Sequence, residues 1–242
     1  MNIVGIIPSR YASTRFPGKP LKLIAGRTLI ERVWRQAKKC KALSEVYIAT
    51  DDIRIRDAAL AFGAKVVMTS KTCKSGTDRL AEAALTAAKG ADIIINIQGD
   101  EPVISPALIG SIAQCLKTDR SLMAATAAYP LKSKEEINSP NVVKVVLDLR
   151  QYALYFSRYP VPYPRNEKKS TGYYKHIGIY GYRRGFLLKF AGWSQTPLER
   201  TEQLEQLRIL EKGERIKVVI SKVDSFGVDV PADIKKIERL IR

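Results

Sequence analysis

Short apolar runs alternate along this chain with segments whose apolar residues recur every three or four positions. That alternation predicts strands and helices in turn. Residues 3–7 read as a buried strand that breaks at Pro8. Leu29, Ile30, Val33, Trp34, Ala37 and Cys40 share one helical face. Residues 45–50 and 65–68 read as strands on either side of a helix that Asp52 caps and Gly63 stops. Thr77 or Asp78 is typed to cap the Ala-rich helix that ends at Gly90. Residues 92–97 form the most apolar strand, followed by a helix over 106–116 and an extended segment over 122–128.

The second half reads differently. Residues 142–147, 153–156 and 177–182 have strand character around the Pro-rich loop 158–165, which predicts an antiparallel extension of the sheet. A long helix is expected from Thr196 to Lys212, with Pro197 in its first turn and Gly213 behind it. A strand over 215–221 and a terminal amphipathic helix after Asp233 complete the pattern. No linker, repeat or low-complexity tract interrupts it, so residues 1–242 are expected to form one α/β domain. Its mixed, mostly parallel sheet would be covered on both faces, with an extension at about 129–195 suited to dimer contacts.

Composition changes this picture little. The formal charge of +17, from 41 Lys and Arg against 24 Asp and Glu, admits anionic partners of any size. Nucleic acid is not indicated, because there is no zinc spacing, RNP-like strand or basic patch interleaved with aromatics. Cys40, Cys73 and Cys115 are too dispersed for a disulfide framework or a metal cluster. No apolar run approaches spanning length, and Arg10 cuts the N-terminal one, so neither membrane insertion nor a signal peptide is expected. The cytoplasm is the expected compartment.

The candidate chemistry begins where the first strand ends. Arg10, Arg15 and Lys19 lie within ten residues, among the small residues Ser9, Ala12, Ser13, Thr14 and Gly18. Cations in a permissive loop beyond a buried strand suit a polyanion such as a triphosphate, although each alone also reads as a solvated charge. A Walker loop is excluded, since Ser13 and Pro20 stand where it needs Gly and Ser or Thr, and Gly5 has no partners for a dinucleotide motif. Asp100 follows the most apolar strand, and Asp229 is flanked by Val228 and Val230. Two such acids opposite a cationic loop suit Mg²⁺ held with phosphate oxygens. The alternatives are a turn role for Asp100 and a capping role for Asp229, for which Asp233 is better typed. His176 reads as a structural donor with Tyr180 on the same strand face. Glu205 and Gln206 read as a solvated helix face, and Arg158 is undecided.

Eight blocks taken together resemble the 3-deoxy-manno-octulosonate (Kdo) cytidylyltransferases: Ile7-Pro-Ser-Arg-Tyr-Ala-Ser-Thr-Arg-Phe-Pro-Gly-Lys-Pro-Leu21, Ala49-Thr-Asp51, Ser75-Gly-Thr-Asp-Arg79, Asn96-Ile-Gln-Gly-Asp-Glu-Pro102, Ala153-Leu-Tyr-Phe-Ser-Arg158, His176-Ile-Gly-Ile-Tyr-Gly-Tyr182, Leu204-Glu-Gln-Leu-Arg208 and Gly227-Val-Asp-Val-Pro231. The departures are a short loop between Pro164 and Tyr173 and the variants Ser9 and Phe16. The resemblance implies a three-layer α/β/α Rossmann-like nucleotidyltransferase fold, a homodimer, and Mg²⁺-dependent formation of CMP-Kdo and pyrophosphate from CTP and Kdo for lipopolysaccharide assembly. It implies that Ser9, Arg10, Ala12, Arg15, Lys19, Ser75, Gly76, Arg79 and Asp100 bind nucleotide and that Asp100 and Asp229 hold the metal. Gln98, Arg158, His176, Tyr180, Glu205 and Gln206 would position the sugar acid. Arg10, Arg15, Lys19, Asp100 and Asp229 form the implied catalytic set. Activation of a related sugar, such as sialic acid, a hexose phosphate or 8-amino-Kdo, is the rival reading.

Overall fold

A computed structural model describes residues 1–12, 16–166 and 172–241. Its strands are β1 (Ile3–Ser9), β2 (Leu23–Ile24), β3 (Arg27–Thr28), β4 (Glu45–Thr50), β5 (Lys65–Met68), β6 (Ile93–Asn96), β7 (Ala124–Leu131), β8 (Lys144–Leu147), β9 (Ala153–Ser157), β10 (Tyr173–Arg183) and β11 (Ile216–Ile220). Its helices are α1 (Leu29–Lys38), α2 (Ile53–Ala61), α3 (Gly76–Thr86), α4 (Pro106–Thr118), α5 (Lys134–Asn138), α6 (Arg184–Ala191), α7 (Pro197–Glu202), α8 (Leu207–Glu211) and α9 (Pro231–Ile241). Among the described residues no helix is long and apolar enough to cross a membrane.

Nine strands make one sheet in the order β11-β7-β10-β6-β1-β4-β5, with β8 paired to β10 and β9 to β8. The β1–β4, β1–β6, β4–β5 and β11–β7 pairs are parallel, whereas β10 runs antiparallel to both β6 and β7. Alternate residues of β1 face opposite sides of the sheet. Val4 and Ile6 pack with Leu80, Phe186, Phe190 and Leu207 of α3, α6 and α8. Ile3 and Ile7 pack with Ile30, Ile55 and Ile109 of α1, α2 and α4. The expected three-layer arrangement with an antiparallel extension is therefore what the chain forms.

Several local expectations need correction. The cap of α3 is Ser75, not Thr77 or Asp78; its side chain accepts from Asp78 N while Asp78 reaches back, so the two form a capping box. The long helix expected over 196–212 is broken at Gln203, which takes φ 52° between α7 and α8. Arg158 causes much of this: its guanidinium takes the Glu202 and Gln203 carbonyls at 2.7 and 3.3 Å, and Glu202 in turn accepts from Ser157 Oγ and Arg158 N. Glu205 and Gln206 thus lie in a helix break and not on a solvated face, and Gln206 is buried. β10 starts at Tyr173, before the expected 177, which puts His176 inside the sheet. α6 was not expected at all, although Phe186, Leu187 and Phe190 carry its helical spacing.

Candidate active site

The carboxyl ends of β1 and β6 lie side by side, and the loops that leave them frame a cavity of about 320 Å³. Gly18 adopts φ +68°, and a side chain there would press on the Tyr11 ring; the turn it permits starts a 3₁₀ turn at Lys19. Gly99 approaches β1 so closely that a Cβ would lie 2.8 Å from Pro8 O. That approach sets Asp100 against the opening loop.

Lys19 is the centre of the cavity's charge arrangement. Its ammonium donates to Asp100 Oδ2 at 2.8 Å and to Val228 O at 2.8 Å, and lies 3.6 Å from Asp229 Oδ1. Two carboxylates 129 positions apart in sequence thus face one cation. The Asp100 carbonyl accepts from Val228 N at 2.9 Å, which ties their two segments together. Asp233 accepts from the Asp229 and Val230 amides, so Asp233 takes the capping role at α9 and leaves the Asp229 carboxylate facing Lys19.

The opposite wall is the start of α3. Ser75, Gly76 and Arg79 line the cavity together with Cys73 and Lys74. Arg79 is buried, pairs with Asp51 at 3.0 Å and donates to Thr69 Oγ1, so it is held rigidly. The free amides at the first turn of α3 make this wall favourable to anions. Ser9 is buried, its hydroxyl without a partner among the described residues, and Arg10 is exposed at the rim. Gln98 completes the lining and anchors to Gly178 O at 3.0 Å.

The structure therefore brings Ser9, Arg10, Lys19, Ser75, Gly76, Arg79, Gln98, Asp100 and Asp229 around one cavity. Arg15 lies outside the described residues, and Ala12 is exposed and does not line the cavity. Arg158, His176, Tyr180, Glu205 and Gln206 do not line it either. Glu205 is joined to it indirectly, because its carboxylate accepts from Thr77 Oγ1 at 2.5 Å behind the cavity wall. Burial pushes the Glu205 carboxyl up, against the hydrogen bonds from Thr77 and Ser75 and the charge of Arg208.

His176 packs between Phe156 and Tyr180, with ring centroids at 4.9 and 5.4 Å, and its Nε2 lies 3.0 Å from Thr126 Oγ1. Thr126 donates to Ile179 O, so the imidazole N–H on Nε2 is assigned as the donor. Burial pushes the ring's pKa down to about 3, which keeps it neutral and makes it a structural donor, as its solitary place in the sequence indicates.

Cys73 and Lys74 line the cavity and Glu101 lies next to Asp100, although the sequence motifs do not mark them as site residues. Lys74 adds a cation beside Ser75, and its adjacency to the Ser75-Gly76 pair is a signal the sequence does carry. Glu101 follows Asp100 and accepts from Ser225 Oγ; burial, with the Asp100 and Asp224 charges adding to it, raises its pKa to about 7. Among the described residues no three His, Cys, Asp or Glu side chains gather into a closed metal cage. Two carboxylates converging on a single positive charge are instead the open, hard-oxygen set that suits Mg²⁺ shared with phosphate oxygens and water. The residues fit that ion.

The chain as a whole is similar to known proteins. The cytidylyltransferase family model matches residues 4–216. A Geobacter metallireducens protein named 3-deoxy-manno-octulosonate cytidylyltransferase is 50% identical, covering 100% of this chain and 99% of its own. A Myxococcus xanthus protein of the same name is 49% identical over 99% of this chain and 96% of its own. The solved structure of a CMP:2-keto-3-deoxy-manno-octonic acid synthetase complexed with CTP matches with TM-score 0.94 and 43% identity, over 100% of this chain and 98% of that one. A 4-diphosphocytidyl-2C-methyl-D-erythritol synthase from Anaerococcus prevotii, 16% identical with TM-score 0.63 over 99% of this chain and 96% of its own, shares the fold alone. With its Rossmann-like nucleotidyltransferase fold, this chain belongs to the cytidylyltransferase family, within the branch of the 3-deoxy-manno-octulosonate cytidylyltransferases.

Proposed function

We propose that this chain transfers CMP from CTP to Kdo, giving CMP-Kdo and pyrophosphate for lipopolysaccharide assembly. The observation that carries the reading is the meeting of Asp100 and Asp229 on Lys19 at the mouth of a nucleotide-sized cavity, in a chain half identical to Kdo cytidylyltransferases. The anomeric hydroxyl of Kdo attacks the α-phosphorus; an O–P bond forms as the α–β bridging P–O bond breaks, and pyrophosphate leaves with the electron pair. Lys19, Lys74, Arg10 and Arg15 hold the triphosphate, so charge that grows on the leaving group meets fixed cations. Ser75, Gly76 and Arg79 hold the cytidine side through the first turn of α3. Asp100 and Asp229 would hold Mg²⁺, which would neutralise phosphate charge and favour ionisation of the attacking hydroxyl, its proton passing to solvent. Lys19, in reach of both acids, is placed to exchange a carboxylate for a phosphate oxygen.

Kdo occupies the Gln98 side of the cavity. The Arg158, His176, Tyr180, Glu205 and Gln206 block forms the scaffold behind it; Arg158 is held by three backbone carbonyls and His176 by Thr126. The chain works in the cytoplasm as a homodimer through its antiparallel extension. The exposed Leu149, Leu154, Tyr159 and Tyr163 of that region support such a contact. Pyrophosphate release tests the function: CTP, Mg²⁺ and Kdo together should give turnover that UTP or sialic acid does not replace. Equal turnover with sialic acid would move the chain to another sugar.

A further inference from the structure

A second cavity, of about 810 Å³, opens between α1, the 102–103 turn and the end of α9, and shares no lining residue with the catalytic cavity. Among the described residues five cations line it, Arg27, Arg32, Arg35, Lys38 and Lys39, and no carboxylate does. Glu31 partly neutralises Arg27 and Arg35, at 3.6 and 2.8 Å. Arg32 is anchored to the Ile24 and Ala25 carbonyls; burial and the charge of Arg27 push its guanidinium pKa down, against the charges of Glu31 and Glu238. Lys38 and Lys39 have no acidic partner within ion-pair distance among the described residues. The groove thus keeps an excess of positive charge, carried by Lys38 and Lys39, after Glu31 and Glu238 offset part of the arginines.

Two further observations concern the walls. Trp34 Nε1 and Gln36 Oε1 belong to lining residues, and both atoms are buried without a hydrogen-bond partner among the described residues. Both atoms are closed to solvent and lie behind the wall, where the Trp34 ring meets Phe62, so the contacts open to a ligand are the cations and the apolar wall. The opposite wall is apolar, built from Pro102, Val103, Leu240 and Ile241. Cations on one side, an apolar wall on the other and small-molecule dimensions describe an amphiphilic anion. A nucleic acid or a charged bilayer calls for a broad basic stripe instead, without a cleft of this size.

We propose that this groove is a second binding site, for an organic phosphate with at least two negative charges and a planar or apolar body. The phosphates lie against Arg35, Lys38 and Lys39 of α1, and the body lies against the Val103–Leu240 wall.

The chain has two tryptophans, so Trp193→Phe leaves Trp34 as its only indole and a reporter of the groove. ATP and pyrophosphate are titrated into that protein, by emission and by calorimetry. ATP should bind saturably, and pyrophosphate, which lacks the body, more weakly. Arg35→Gln with Lys39→Gln should weaken ATP at this site by roughly tenfold or more, since each lost contact joins two charged groups. Both positions are exposed, so the melting temperature and CTP–Kdo turnover should hold. Lys19→Met in the same background should leave the Trp34 signal in place. A signal lost with Lys19→Met but kept in the α1 double variant overturns the proposal. So does the absence of ATP binding at millimolar concentration, or binding confined to heparin or anionic vesicles.

Discussion

Replacing Lys19 by Met removes one positive charge from between two carboxylates while keeping most of the side chain's reach. The Lys19 side chain is 14% exposed; its ammonium donates to Asp100 Oδ2 and Val228 O at 2.8 Å each and lies 3.6 Å from Asp229 Oδ1. A hydrogen bond to a charged group contributes about 1.5–3 kcal/mol in general. Here the carboxylates are 36% and 53% exposed, so solvent screens the ground-state contacts and the lower end of that range applies to stability. Bound substrate would displace water from these groups. One lost contact to the leaving phosphates then raises the barrier by about 1.5–4 kcal/mol, or roughly ten- to a thousand-fold in kcat/KM. The assay is pyrophosphate release across a CTP series at saturating Kdo, so that kcat and KM separate. Both should worsen, because the same ammonium meets the bound triphosphate and the departing pyrophosphate. A kcat/KM within about threefold of the parent would refute the reasoning.

Arg208 and Glu199 form a bidentate pair, at 2.7 and 2.5 Å, with both residues about 95% buried, and the pair holds α7 to α8 across the break at Gln203. Arg208→Leu leaves Glu199 charged and buried, which costs about 3–5 kcal/mol, and the melting temperature should fall by roughly 6–20 °C. A fall under about 3 °C would show that the break holds without the pair. Glu101→Gln tests the raised carboxyl beside Asp100. The folded chain favours protonated Glu101, so its stabilising contribution is present below the ordinary carboxylate range and is lost as pH rises towards about 7. The variant should therefore gain stability relative to the parent between about pH 5 and pH 8. Melting curves whose difference stays constant across that range would contradict the assignment.

How much of this was legible beforehand depended on range. β4, β5 and the Asp52 cap follow from local periodicity and capping, and the chain forms them as read. The break between α7 and α8 does not, because the local sequence suits a helix and a guanidinium from residue 158, far away in the chain, takes the carbonyls a continuous helix would need. The cap of α3 is carried locally all the same; Ser75 and Asp78 stand at capping-box spacing, and a cap at Thr77 or Asp78 starts the helix too late. For the site, the residue types at Asp100 and Asp229 announced a metal-ready pair, but their meeting depends on Gly99 lying against Pro8 and on Val228 bonding to Asp100 O. That Lys19 stands between them is a tertiary fact. Glu101 was hidden for the same reason, since Ser225 and Asp224 come to it from 124 and 123 positions away.

If Asp100 and Asp229 act as one unit in holding the metal, a double-mutant cycle on turnover reveals it most directly. Pyrophosphate release from CTP and Kdo is measured for Asp100→Asn, Asp229→Asn and the double variant, with CTP binding followed alongside. Each single change should lower kcat by roughly a thousand-fold with CTP binding largely kept, and the double change should be no worse than the poorer single one. Losses that multiply in the double variant, or an Asp229→Asn enzyme that turns over like its parent, would show that the two carboxylates do not share a task.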